Sequence, residues 1–99
     1  MHARMTLIEG SGDRLDEVVG QVESDVLPLL RGQSGFKGFT VMGDRSSGRV
    51  VAVSYWNSED DMRASEEAVR ESRERAAEAV GATGGPRVEH YEVLIDVEE

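Results

Sequence analysis

The sequence predicts an α+β fold of ferredoxin-like type, with a βαββαβ antiparallel sheet carrying two helices on one face. Three observations lead there. Two segments with apolar residues at helical spacing alternate with runs of strand-forming side chains. A polar, glycine-bounded connection joins the two central runs as a hairpin. The resulting order of strand, helix, two strands, helix, strand is that of a split βαβ sandwich. The chain has 99 residues, which reads as a single domain over residues 1–99.

Along the chain, the opening MTLIE is rich in strand formers and stops at Gly10 and Gly12, so residues 3–9 are the first predicted strand. SGDRLDE follows as a helix start, with Asp13 as the expected cap and Asp16 suiting the positive end of the helix dipole. Leu15, Val18, Val19, Val22, Val26 and Leu29 make one apolar stripe, and Pro28 is expected to kink or finish the helix. The hairpin arms are Phe36–Met42 and Arg49–Trp56, joined by GDRSSG. Ser58 and Asp61 form an S-x-x-D start signature for a second helix over residues 59–80. Met62, Ser65, Val69, Ser72, Ala76 and Ala79 lie on one side of it. Opposite them stand the i,i+4 pairs Arg63–Glu67, Glu66–Arg70 and Glu71–Arg75. GATGGP breaks the helix, and RVEHYEVLIDV is the last strand.

These strands are apolar on both sides. One face of residues 50–56 carries Val50, Ala52, Ser54 and Trp56, and the other Val51, Val53 and Tyr55. A sheet with one wet face alternates apolar with polar instead. Two helices shelter only one face, and a large bare apolar patch is rare on a soluble monomer. The expected solution is a homodimer in which two sheets face each other as a dimeric α/β barrel.

Composition narrows the partners. There are 20 acidic and 11 basic residues, a formal net charge of −9, and no cysteine. With no basic stripe, neither nucleic acid nor an anionic membrane is an expected partner. Without cysteine, neither disulfides nor thiolate chemistry is available. MHARMTLIEG lacks a long apolar run, so a cytoplasmic location is expected.

The stretch from Gly35 to Ser65 carries a G-F-x-G run at Gly35 to Gly38 and a D-R-x-x-G turn at Asp44 to Gly48. A strand ending in Trp56, a helix start at Ser58 to Asp61, and Ala64–Ser65 follow. This succession resembles the antibiotic biosynthesis monooxygenase-like domain of the dimeric α/β barrel superfamily. The resemblance implies a cytoplasmic homodimer with a small hydrophobic cavity between sheet and helices. Some members of that family oxidise polycyclic aromatic substrates with molecular oxygen and no bound cofactor, others cleave haem, and many have no known reaction.

The resemblance places Trp56 at the cavity, where a flat side chain can stack on an aromatic ligand, while core packing at a strand-to-helix corner explains it equally. Ser54 shares its strand face, and Met62 and Ser65 lie on the sheet-facing side of the second helix. These four are the expected ligand-cavity residues, although core packing accounts for Met62 and Ser65 just as well. The catalytic candidates are His90, because imidazole titrates near neutrality, and Arg4, whose guanidinium suits a carboxylate or phenolate. His90 has no visible acid partner, and Arg4 reads equally as a surface ion pair. Haem-degrading relatives use a His nine or ten positions after the Trp and an Asn in the first strand. Here Ser65 and Glu66 fill that window and the first strand offers Arg4, Thr6 and Ile8, which disfavours haem cleavage. Two distant histidines give no metal-site spacing, and no cofactor is expected. Two functional classes stay open: cofactor-independent oxygenation of a small aromatic substrate, and non-catalytic binding of a small ligand by an accessory domain.

Overall fold

The computed structural model describes residues 1–82 and 84–98. Thr83, inside the expected break GATGGP, and Glu99 lie outside the described residues. Four strands form one antiparallel sheet: β1 (His2–Glu9), β2 (Phe36–Asp44), β3 (Arg49–Trp56) and β4 (Arg87–Glu92), in the spatial order β2-β3-β1-β4. The first helix, α1, spans 15–31; α2 is Glu59–Ala64 and α3 is Glu66–Ala79. This is the ferredoxin-like arrangement the element order predicts.

Cross-strand partners share a face of the sheet. Arg4 lies opposite Ser54 on one side and His90 on the other, and Ile8 opposite Val50. Phe39 and Val41 of β2 stand beside Ser54 and Ala52. The core joins this face to Leu15, Val18, Val22, Val26 and Leu30 of α1 and to Val69, Ala76 and Ala77 of α3. The other face carries Met5, Leu7, Val51, Val53 and Tyr55, all half-buried, with Met42 and Tyr91 exposed. Among the described residues no helix packs there.

Asp13 is not the cap of the first helix. It lies in a 3-10 turn (Gly12–Arg14), and the helix proper starts at Leu15 without a side-chain cap. Pro28 does not finish the helix either. The chain widens into a π turn at Val22–Val26, where the Leu27 amide donates to the Val22 carbonyl, and then continues as Leu27–Arg31. A proline removes one amide donor, and a wide turn before it absorbs that loss. The wide turn also resets the buried stripe. Val18, Val22, Val26 and Leu30, each four positions apart, all point inward, leaving Leu29 exposed where the sequence placed it in the core.

At the second helix, the Ser58 hydroxyl accepts from the Asp61 amide at 3.1 Å, as its signature predicts. The helix breaks at Ser65 into α2 and α3. Of the expected ion pairs, Glu71–Arg75 forms, while Arg63 joins Glu59 and Arg70 joins Glu67. Glu66 turns inward instead, towards Arg4 and Arg73. The last strand ends at Glu92, earlier than its apolar pattern suggests, and Leu94, Ile95 and Val97 beyond it are exposed.

Candidate functional site

Strand alternation puts Arg4, Thr6 and Ile8 on the helix-covered face, and all three are buried. Arg4 is 3% exposed. Its Nη1 donates towards the Ser65 hydroxyl at 2.9 Å, the Glu66 carboxylate at 3.0 Å and the Met62 carbonyl at 3.2 Å. Two N–H groups thus serve three acceptors. The Ser65 hydroxyl in turn donates to the Met62 carbonyl at 2.7 Å. The break at Ser65 therefore has a partner: where α2 passes into α3, a carbonyl and a hydroxyl face a guanidinium from the sheet.

Trp56 closes the other side of Arg4. Its ring centroid lies 5.3 Å from the guanidinium carbon, within cation–π range. The indole N–H donates to Ser54 Oγ at 2.8 Å, and Phe36 meets the ring edge-on at 5.6 Å. Trp56 is completely buried.

Glu66 bridges two arginines. One carboxylate oxygen takes Arg4, and the other takes Arg73 Nη1 at 2.6 Å. Burial pushes the Glu66 carboxyl up, but the hydrogen bond and charge of Arg73, with the charges of Arg4 and His90, outweigh it and hold the group below its ordinary value. Burial presses the Arg4 guanidinium down, partly offset by Glu66 and reinforced by Arg73; arginine stays protonated regardless. Arg73 Nη2 is buried and has no hydrogen-bond partner among the described residues.

Between the sheet and helices α1 and α3 lies a cavity of about 50 Å³. Its wall is apolar, with Ile8, Val22, Val26, Phe39, Val50 and Val69 among its residues, except at Arg4, Thr6, Ser54 and Arg73. Of the residues expected from the sequence, Ser54 and Arg4 line it. Trp56, Met62 and Ser65 are buried beside Arg4 and are not among the lining residues. His90 is exposed on β4, opposite Arg4 in register and outside the lining. His2 Nε2 lies 3.9 Å from Glu59. The described residues contain no group of three or more His, Asp or Glu able to hold a metal ion. No described helix is long and apolar enough to cross a membrane.

Residues 1–69 match the family described as antibiotic biosynthesis monooxygenase. The chain belongs to the antibiotic biosynthesis monooxygenase family. Rv2557, an uncharacterized protein of Mycobacterium tuberculosis, is 38% identical over 93 residues, covering 94% of this chain and 41% of its own length. The chain thus spans about two-fifths of the curated relatives it matches. The monooxygenase from the gene ActVA-Orf6 of Streptomyces coelicolor, solved in complex with nanaomycin D, superposes with a TM-score of 0.81 at 18% identity, covering 99% of this chain and 91% of that one. A point mutant of MhuD, solved with manganese protoporphyrin IX bound, has a TM-score of 0.74 at 22% identity over the whole of both chains. At these identities both show a shared monooxygenase-family fold and no more.

Sequence reasoning about this family member missed Arg73 and the inward role of Glu66. A signal was available. Glu66 and Arg73 stand seven positions apart, two helical turns, and so share a face. That face also carries Val69, Ser72 and Ala76, so a charged pair embedded in it marks an occupied interior position.

Proposed function

We propose that the chain is a homodimeric small-ligand protein that holds an electron-rich aromatic molecule between its sheet and helices and oxidises it with dioxygen, without a bound cofactor. One observation carries this reading: an apolar cavity lined by two arginines, the buried Arg4 and the half-buried Arg73. The apolar wall takes the ring system. A guanidinium beside a phenolic or enolic oxygen favours its ionised form, and exclusion of water strengthens that effect. The substrate carbanion then reduces oxygen. In balance, an activated methylene and O₂ yield a carbonyl and water. One oxygen atom enters the substrate, the other leaves as water, and all the electrons come from the two C–H bonds.

The cavity is smaller than the roughly 150 Å³ that admits benzene in an engineered core, so an aromatic ligand has to displace part of its lining. Val22 and Val26, the first and last residues of the π turn, belong to that lining. The second copy belongs on the bare face of the sheet, where Met5, Leu7, Val51 and Val53 otherwise meet water. Haem cleavage is disfavoured, because Ser65 and Glu66 are committed to Arg4.

A specific observation supports non-catalytic binding as the second reading. The polar lining residues are Arg4, Thr6, Ser54 and Arg73, none of which is a base at neutral pH. An oxygen-electrode assay with anthrone and a quinol, run beside calorimetric binding of the same compounds, separates the two. Saturable uptake that Arg73→Gln abolishes and His90→Ala leaves intact supports oxygenation. Binding without uptake supports the second reading, and absence of binding sinks both.

A further inference from the structure

We propose that Arg73, with Arg4 and Glu66, makes the end of the cavity selective for a monoanion: an apolar body bearing one carboxylate or one ionised phenol or enol oxygen. This rests on the ligand-binding reading above and names the charge and head group of what binds.

The argument starts from charge. Arg4 and Arg73 bring two guanidiniums to the cavity wall, and a single carboxylate, Glu66, divides its two oxygens between them. The cluster is therefore left with one positive charge more than it neutralises, beside an apolar space of low dielectric. A net positive charge at such a wall favours an anionic ligand over a neutral one of the same shape.

The second step is geometric. Arg4 turns its Nη1 to Met62, Ser65 and Glu66, and Trp56 covers its face. Arg73 keeps an open donor. Glu66 occupies Nη1, while Nη2 is buried without an acceptor among the described residues. Buried donors without partners are rare in native proteins and call for an explanation. A guanidinium fork offers parallel N–H groups that match the oxygens of a carboxylate, and a single phenolate oxygen also satisfies the free nitrogen. Arg4 is then a positioning residue that holds Glu66, and Arg73 contacts the ligand. Glu66 competes with the ligand for Arg73, so its negative charge restrains anion affinity.

Titration calorimetry on the intact chain tests this with isosteric pairs: benzoate against benzamide, and 4-nitrophenolate against 4-nitroanisole. Each anion is expected to bind at least tenfold more tightly than its neutral partner, and the two pairs tell a carboxylate site from a phenolate site. Arg73→Gln removes the preference without changing affinity for the neutral member, and Arg73→Lys restores part of it. Glu66→Gln strengthens the anion several-fold and leaves the neutral compound unchanged. A merely structural role for these residues predicts equal weakening of both members by Arg73→Gln, and that result overturns the proposal. So does equal wild-type affinity within each pair, although the cavity reading then stands. If no member of either pair binds, both fall. Thermal melts of each variant confirm folding, and Arg73→Lys keeps the test decisive if Glu66→Gln unfolds.

Discussion

Arg4 of β1 and Glu66 of α3 meet at 3.0 Å, although 62 positions separate them in the chain. The contact ties the first strand to the junction where α2 passes into α3, and Ser65 and Met62 reinforce it from the same turn. Replacing Arg4 by methionine keeps the bulk but strips three acceptors of their donor. The expected loss is about 1–3 kcal/mol, moderated because Glu66 keeps Arg73. Urea unfolding measures it, and a midpoint equal to that of the parent chain refutes the assignment.

Acid should loosen the same junction. The Glu66 carboxyl is held below its ordinary value, so the folded chain binds fewer protons there than the unfolded chain. Its contribution is complete above the ordinary carboxylate pKa and fades as pH falls through the lowered one. Glu66→Gln is therefore expected to flatten the acid limb of a stability–pH profile and to lower the plateau above it. Parallel curves for the two proteins would remove Glu66 as a source of the acid dependence.

Ser54 and Trp56 form a unit two residues apart on one strand face, joined by the indole N–H. Ser54→Ala leaves that donor buried and unpaired, at a cost of about 1–3 kcal/mol. Trp56→Phe removes the donor but also loses contact with Arg4 and Phe36. The double variant is expected to be more stable than the sum of the singles predicts, because the second change deletes the stranded group. Strict additivity in a double-mutant cycle would show that the bond carries nothing.

Two glycines should respond in opposite directions to alanine. Gly48 has φ +78°, and an added Cβ would lie 1.9 Å from the Gly10 carbonyl oxygen, so the hairpin turn cannot keep its seat against the end of β1. Gly48→Ala is expected to destabilise by more than about 1–3 kcal/mol, the range for backbone strain alone. Gly20 stands in α1 with nothing near its missing Cβ. There alanine is expected to stabilise by about 0.5–1 kcal/mol. Thermal melts that rank the two variants the other way would contradict this backbone geometry.

Val53 sits mid-strand on the bare face of the sheet, between Met5 and Thr40. Val53→Glu puts a charge where the proposed second copy packs. Sedimentation velocity is expected to show a dimer for the parent chain and a single subunit for the variant, with unchanged far-ultraviolet circular dichroism. A parent chain that sediments as one subunit at all concentrations would refute the dimer.

The sequence by itself determined the element order, the hairpin, the Ser58 start and the two apolar faces of the sheet, because these follow from local periodicity, turn chemistry and alternation. Local signals were weaker at helix interruptions: Pro28 announced a disturbance, but the wide turn before it depended on keeping Leu30, rather than Leu29, against the sheet. Only the tertiary structure decided the site. Arg4 read equally as a surface ion pair, Glu66 read as a partner of Arg70, and nothing singled out Arg73. Which carboxylate an arginine takes is settled by what lies within about 4 Å, and that distance is created by folding the first strand under the second helical segment. Packing likewise enclosed Trp56 behind Arg4 and left His90 outside, since alternation assigns a residue to a face but not to a depth.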